Sequence, residues 1–107
     1  MDLVRVTNKT KWDEIRLAMY ELADLSPRWR TRCVENGFVT AWDSEWFYHF
    51  RDGGYEITEW VEIEVTSSEQ KTAVHNVLSK IHVPGEFLDN IFRVYGHVPV
   101  GQPIDYL

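Results

Sequence analysis

Residues 46–65 read WFYHFRDGGYEITEWVEIEV, and this stretch decides the fold class that the sequence predicts. It opens with aromatic side chains, which β-strands favour, and its second half places apolar residues at alternate positions, the period of a half-buried strand. Between the two halves, Gly53 and Gly54 supply the positive φ of a tight turn without a Cβ clash. The stretch therefore predicts an antiparallel β-hairpin.

Alternation along the second strand of this hairpin predicts two different faces. One face is apolar at residues 61, 63 and 65 and is expected to be core. The opposite row is acidic with one aromatic side chain, and it consists of Glu56, Trp60, Glu62 and Glu64. Residues 38–69 hold eight acidic residues and one basic residue, Arg51. Neighbouring carboxylates on a strand repel one another, and a cationic partner would remove that repulsion, so we expect this row to bind a basic protein.

Two other interpretations of the acidic row stay open on the sequence alone. A solvated sheet face gains solubility from its acids without binding anything. Alternatively, Arg28, Arg30 and Arg32 pair with the acids inside the same molecule, in which case the row is structural.

Helical signals lie on both sides of the predicted hairpin. Thr10 is a candidate N-cap, and the apolar residues after it, at spacings of three and four, predict a first helix. Ser26, followed by proline, and Gly37 resemble a helix start and stop, so a second helix of about ten residues is expected between them. Ser67 has the capping spacing for a third helix, which is predicted to end near His82.

Strand signals return after the third helix. Residues 91–95 are predicted to form a strand, residues 87–90 a short turn and residues 104–107 a short terminal strand. Together these elements predict an α+β fold: two N-terminal helices, an antiparallel β-hairpin, one further helix and C-terminal strands, forming one helix-on-sheet sandwich. With 107 residues, of which 44% are hydrophobic, residues 1–107 are expected to form a single domain with its own core.

Composition disfavours several functional classes. The apolar runs are far shorter than the roughly 20 residues that span a bilayer, and no secretory signal is visible, so we expect no membrane association and a cytoplasmic protein. A net charge of −6 disfavours nucleic-acid binding, since phosphate backbones attract basic surfaces. Cys33 is the single cysteine and cannot form an internal disulfide. We expect a monomer, or a homodimer formed through the aromatic hairpin or an edge strand.

An alternative site lies beside the predicted turn. His49 is close to Arg51 in sequence, and such side chains can serve as an acid–base group and an anion clamp. This interpretation predicts a concave pocket that contains His49, with Arg51 and Tyr95 beside it, and a perturbed titration of the histidine. A histidine on a polar sheet face is the simpler account, so no catalytic residue is assigned.

No pattern in the sequence indicates a metal or a cofactor. His75 and His82 share a helical face but lie two turns apart, which is too far for one ion on a straight helix. The chain has no cysteine pair, no HExxH or GxSxG motif and no dinucleotide fingerprint. We therefore expect no metal site and no cofactor.

Several segments of the chain resemble a known family. They are SPRWRTRCVENGF (residues 26–38), WDSEWFYHFRDGGY (42–55), EWVEIEV (59–65), KIHVPGE (80–86) and FRVYGHVPVGQPIDYL (92–107). These strings are similar to a family of small bacterial proteins that form a domain of unknown function, so the resemblance implies a cytoplasmic bacterial protein and transfers no catalytic residue. In size, charge and architecture the chain is also similar to immunity proteins, which neutralise toxins delivered between neighbouring cells.

These observations predict a non-catalytic protein-binding module. The most specific form of the prediction is an immunity-type inhibitor that neutralises a basic, nuclease-like toxin through the acidic row. The alternative is a small enzyme or ligand-binding domain that uses the pocket around His49 and Arg51.

Overall fold

The computed structural model describes residues 2–107 and has an α+β architecture with two antiparallel sheets. The helices are α1 (Lys9–Glu21) and α2 (Ser68–Ile81). The strands are β1 (Leu3–Arg5), β2 (Arg28–Cys33), β3 (Thr58–Glu64), β4 (Gly85–Leu88), β5 (Ile91–Tyr95) and β6 (His97–Pro99). Strands β1 and β6 form a two-stranded sheet, and the larger sheet has the order β2-β3-β5-β4. The predicted α+β class is therefore confirmed.

Both helices begin with a side-chain cap and bury an apolar stripe. Helix α1 starts earlier than predicted, because the side chain of Asn8 accepts a hydrogen bond from the backbone N–H of Lys11 at 2.9 Å. The predicted cap of α2 is confirmed, since Ser67 accepts from the backbone N–H of Gln70 at 3.1 Å. The stripes that the helices bury are Trp12, Ile15 and Met19 on α1, and Val74 and Leu78 on α2. These stripes belong to one buried cluster with the inner face of the larger sheet.

The inner face of the larger sheet is a row of apolar residues in register. Trp29 on β2 lies opposite Ile63 on β3, which lies opposite Phe92 on β5, which lies opposite Phe87 on β4. The first three are at most 5% exposed. Because successive side chains on a strand point to opposite faces, the residues between them point away from the helices.

The predicted second helix is wrong, because the segment after Pro27 forms strand β2. Alternation from Arg28 to Cys33 buries Trp29, and six register pairs tie the strand to β3. The helix-like stop signal at Gly37 instead marks a turn. Gly37 has φ 73° and donates its N–H to the carbonyl of Cys33 at 2.9 Å. Tertiary pairing with β3 overrides the local helix signals.

The predicted hairpin is also wrong, because the aromatic run from residue 46 to residue 50 is not a strand. The side chain of Glu45 accepts hydrogen bonds from the backbone N–H groups of Phe47, Tyr48 and His49, at 3.1, 2.8 and 2.7 Å. These bonds wind the backbone into turns, as side chains that compete with a strand ladder can do. Strand β3 pairs instead with β2 and β5.

Residues 34–57 form the long connection between β2 and β3, and hydrogen bonds tie both its first and its later part to neighbouring elements. Its first part runs back along β2, where Asp43 forms an antiparallel bridge with Trp29. Its later part is held by α1, since the hydroxyl of Tyr55 donates to Asp13 at 2.6 Å and Arg16 donates to the carbonyl of Phe47 at 2.6 Å. The connection is therefore an ordered part of the fold without regular strands of its own.

The C-terminal part agrees with prediction only in part. Strand β5 is confirmed, but the predicted turn at residues 87–90 covers the end of β4 and a tight turn with positive φ at Asp89 and Asn90. Residues 104–107 make one bridge, between Pro84 and Tyr106, rather than a strand.

Among residues 2–107, no helix combines the length and the apolar character needed to cross a membrane.

Candidate functional site

The face of the larger sheet that points away from the helices, here called the outer face, carries charges of alternating sign. Strand register sets this order: Arg30 lies opposite Glu62, which lies opposite Arg93, which lies opposite Glu86. Opposite charges on neighbouring strands attract one another, so each carboxylate has a cation beside it. The outer face holds three of the predicted binding residues, Trp60, Glu62 and Glu64.

Glu62 lies at the centre of the outer face and is only 5% exposed. Arg30 donates to one of its oxygens at 2.8 Å, and Arg93 donates twice to the other, at 3.0 and 2.6 Å. Burial opposes ionisation of this carboxyl, but the hydrogen bonds from Arg93 and Arg30 outweigh it and lower the pKa of Glu62. The carboxylate is therefore charged and fully engaged inside the molecule.

The neighbouring acids are paired in the same way. Arg28 donates to Glu64 at 2.6 Å, and Arg32 donates to Glu59 at 3.3 Å. The guanidinium groups of Arg28 and Arg30 lie over the ring of Trp42, at 4.8 and 4.5 Å from its centroid. Internal pairing, which the sequence left open, is thus the observed arrangement, and the row is not a free acidic surface.

Trp60 does not have the exposure expected of a binding anchor. It is 8% exposed, and the guanidinium of Arg93 lies 4.5 Å from its ring centroid. Glu56 is exposed but lies in the long connection, beside Gly54, and not on the outer face. The four residues predicted as one row are therefore divided between two places.

On strands β2, β3 and β5 the arginines of the outer face are more exposed than the acids, whereas Glu86 on the edge strand β4 is also exposed. The side chains of Arg28, Arg32 and Arg93 are 47%, 41% and 37% exposed, against 6% for Glu62 and 24% for Glu64. Within residues 2–107, the hydrogen bonds of Arg28, Arg30 and Arg32 are made through Nε alone. Their terminal NH₂ groups make no hydrogen bond within these residues and can donate to a partner. We call these three residues the arginine ladder.

A second candidate site is a cleft of about 470 Å³ between β2 and the long connection. Its apolar lining includes Trp29 and Phe50, whose rings meet edge to face at 5.1 Å. Its polar lining includes His49 and Asp43. The cleft therefore places a histidine–carboxylate pair beside buried aromatic rings.

His49 is held by Asp43, six residues before it in the sequence. Its Nδ1 lies 2.8 Å from Oδ2 of Asp43, and the other Asp43 oxygen accepts from the backbone N–H of Glu45 at 2.8 Å. The hydrogen bond to Asp43 raises the pKa of His49, so the imidazole is protonated over a wider pH range than a free histidine. The structure therefore places His49 on the wall of a cleft, with its side chain 60% exposed.

The other two residues predicted for this pocket lie elsewhere. Arg51 packs over the rings of Phe47 and Tyr48 on the outside of the long connection, and Tyr95 donates its hydroxyl to Glu86 at 2.7 Å on the outer face. The cation that lines the cleft is Arg32, next to a register shift between Arg32 and Cys33 that interrupts the strict alternation of β2. Sequence reasoning missed Arg32 and Asp43 because it placed their segments in a helix and in the run leading to a hairpin.

Among residues 2–107, no group of three or more histidine, cysteine or acidic side chains is arranged to hold a metal ion. Cys33 is a free, half-buried thiol on the wall of the cleft.

Comparison with protein families found one match, described as "Family of unknown function (DUF6678)", over residues 1–101. Comparisons with curated proteins and with solved structures found no match.

Proposed function

The chain belongs to the family of unknown function DUF6678, and we propose that it is a protein-binding module that docks a partner on its outer face. The observation that carries this proposal is the arginine ladder, whose guanidinium groups are anchored at Nε and unengaged at their other ends within residues 2–107. No catalytic residue is required for this role.

The composition and rigidity of the outer face support a binding role. Protein interfaces are enriched in arginine and tryptophan, and both residue types dominate binding hot spots. Glu64, Glu62 and Glu59 each fix one guanidinium of the ladder, and Trp42 stacks on two of them. Side chains that are already ordered lose less conformational entropy on association, so a partner binds them more tightly.

The exposed charges favour a partner that brings carboxylates, not the basic partner predicted from the sequence. Glu62 and Glu64 are engaged by Arg30 and Arg28, and a basic partner would have to displace these arginines. Alternate residues on a strand lie about 7 Å apart, so an extended segment with acidic residues at alternate positions matches the ladder in spacing. A net charge of −6 repels nucleic acid at long range, which favours a local acidic segment over a polyanion.

An immunity-type inhibitor remains one form of this proposal. Such an inhibitor would bind an acidic segment of its target with its outer face. The protein would still be an inhibitor, as predicted from the sequence, but its partner would be acidic at the interface and not basic.

Selection from a random library of displayed extended peptides tests both the binding and its sign. We expect enrichment of peptides with Asp or Glu at alternate positions. Enrichment of Lys and Arg would support the basic partner predicted from the sequence, and no enrichment on a folded sample would argue against a peptide-docking face.

A matched pair of double variants then locates the site. Arg28→Gln with Arg32→Gln should weaken binding of a selected peptide by roughly tenfold or more, because hydrogen bonds between charged groups are lost. Arg5→Gln with Lys80→Gln removes the same charge elsewhere on the surface. Equal losses in both double variants would mean that net charge, and not the ladder, governs binding.

A further inference from the structure

We propose that the cleft beside His49 is a small-molecule site that binds a carboxylate attached to an aromatic or other flat apolar body. This site is separate from peptide docking on the outer face, although Arg32 borders both. The proposal rests on the shape of the cleft, its apolar lining and the hydrogen-bonding groups that its own residues leave over.

The apolar part of the ligand is matched by aromatic and aliphatic side chains. Trp29 and Phe50 line the cleft and are 5% and 6% exposed. Phe38 and Ile57 also line it and are 62% and 40% exposed. Large apolar side chains left exposed around a concavity lose contact with water when a flat ligand enters, which favours binding.

The acidic oxygens nearest to His49 are already occupied. One oxygen of Asp43 accepts from the imidazole and the other from the backbone N–H of Glu45. The side chain of Glu45 accepts from three backbone N–H groups of the same turn. Neither carboxylate is therefore a strong remaining acceptor for a ligand.

The groups left over in the cleft are mainly donors. Within residues 2–107 the ring of His49 is bonded through Nδ1 alone, which leaves Nε2 as a donor when the imidazole is protonated, and the guanidinium of Arg32 is bonded through Nε alone. The Asn36 side chain accepts through its oxygen at 2.9 Å from the backbone of Phe38, which leaves its NH₂ group. Donors without acceptors select a ligand that accepts, and a carboxylate accepts from several donors at once.

Asp52 is the one lining carboxylate that these contacts do not occupy. It would favour a ligand that also carries an amine, and it would oppose a ligand with two negative charges close together. The experiment therefore includes probes with and without an amine.

The test is an NMR titration of the full chain with four probes. They are 3-phenylpropionate, phenethylamine, L-phenylalanine and acetate. We expect 3-phenylpropionate to bind with a dissociation constant of about 1 mM, the order that ligand-efficiency limits allow for so small a molecule. The resonances of His49 and Phe38 should shift, while those of His75 and His82, on and beside α2, should not. Acetate should bind at least tenfold more weakly, because it lacks the apolar body.

Variants decide whether the cleft is the site. His49→Gln should weaken binding of 3-phenylpropionate about threefold to tenfold, since one charge-assisted hydrogen bond is lost. His75→Gln is the matched control and should leave the affinity unchanged. Phe38→Ser, at an exposed position, keeps the test independent of folding and should also weaken binding.

Three outcomes would overturn the proposal. They are equal or tighter binding of phenethylamine, equal shifts at His75 and His49, or saturation of none of the four probes by a folded sample. Tighter binding of L-phenylalanine than of 3-phenylpropionate would support the site and assign Asp52 to the amine. These outcomes are separable from peptide docking, because the variants at His49, His75 and Phe38 leave all three residues of the arginine ladder unchanged.

Discussion

The outer face and the cleft contain the same kinds of residue, arginines, acids and aromatic rings, but use them differently. On the outer face the strand ladder satisfies the backbone, so Glu62 and Glu64 are available to pair with arginine side chains. In the turns of the long connection that follow its bridge to β2 the backbone has no ladder, so Glu45 and Asp43 accept from backbone N–H groups instead. Buried backbone donors have to be satisfied in either case. In the irregular connection the side-chain carboxylates are therefore used to satisfy backbone N–H groups. Side-chain donors of the cleft then lack an acceptor within the molecule, which makes the cleft suited to a ligand that accepts hydrogen bonds.

The aromatic residues of the two regions also have different roles. The side chains of Trp46, Phe50 and Tyr55 point from the connection into the core, and their packing there holds this part of the connection in place. Two other tryptophans, Trp60 on β3 and Trp42 from the part of the connection that runs along β2, instead lie under guanidinium groups of the outer face. The connection thus depends on its aromatic residues for folding, whereas the outer face depends on them for side-chain order.

Trp46→Ala is expected to have the largest effect, because it removes the main anchor of the connection. Trp46 is 1% exposed, packs on Trp29 and Phe50, and donates its indole N–H to the carbonyl of Pro27 at 2.7 Å. Truncation of a buried Trp costs about 3–5 kcal/mol of the free energy of unfolding. Denaturant unfolding followed by far-UV circular dichroism measures the loss.

The neighbouring Phe47→Ala is the control for this change. Phe47 is half-buried on the outside of the connection, between Tyr20 and Tyr48, and its removal is expected to cost about 1 kcal/mol. Equal losses for the two variants would mean that the connection is not anchored from within, and the contrast with the outer face would fail.

Regular elements could be predicted from the sequence because their signals are local. The Ser67 cap and the apolar spacing of α2 are contained within one helix, β5 alternates in burial over its whole length, and the second half of β3 alternates between apolar and acidic residues. Strand β2 could not be predicted, since Ser26 and Gly37 imitate helix ends while its partner β3 lies far along the chain. Local signals decide only where no distant pairing competes with them.

The candidate site was predictable to a smaller extent. His49 could be selected as a polar residue in an aromatic run, but its partner Asp43 depends on a backbone path that the hairpin prediction excluded. Likewise, alternation places Glu62 and Glu64 on one face, yet only the register of β2 against β3 places an arginine beside each. Partners across a sheet require the topology, and the sequence pattern does not contain it.

Glu62→Gln should cause the second largest loss of stability, and it tests whether the ion pairs of the outer face stabilise the fold. The change leaves Arg30 and Arg93 without their shared carboxylate. Because both arginines are about one-third exposed, water compensates in part, and we expect a loss of about 2 kcal/mol in the free energy of unfolding. Urea unfolding at neutral pH measures it.

The same variant should remove a pH dependence. The pKa of Glu62 is lowered in the folded state, so its stabilisation is present above the unfolded pKa of about 4.3 and is lost as pH falls through the folded value. The stability difference between the wild type and Glu62→Gln should therefore shrink below about pH 4. The more exposed Glu64→Gln is the control, with an expected cost below about 1 kcal/mol. A difference that stays constant down to acid pH would contradict a charged Glu62.

Asp43→Asn should have the smallest effect on stability, because it acts on a single exposed histidine at the rim of the cleft. The hydrogen bond to Asp43 is the main reason for the raised pKa of His49, with Asp43, Glu45 and Asp52 adding attraction of charge. The variant should lower the pKa of His49 towards the ordinary histidine value, as followed by NMR of the imidazole against pH. Since the folded pKa is raised, protonated His49 adds stability below its unfolded pKa and loses it as pH rises through the folded value, and Asp43→Asn should reduce that slope. Asp52→Asn is the control and should lower the pKa of His49 less. An equal decrease in both variants would mean that the pKa of His49 depends on the summed negative charge of the connection. In that case the hydrogen bond to Asp43 would not be what orients the imidazole towards a ligand.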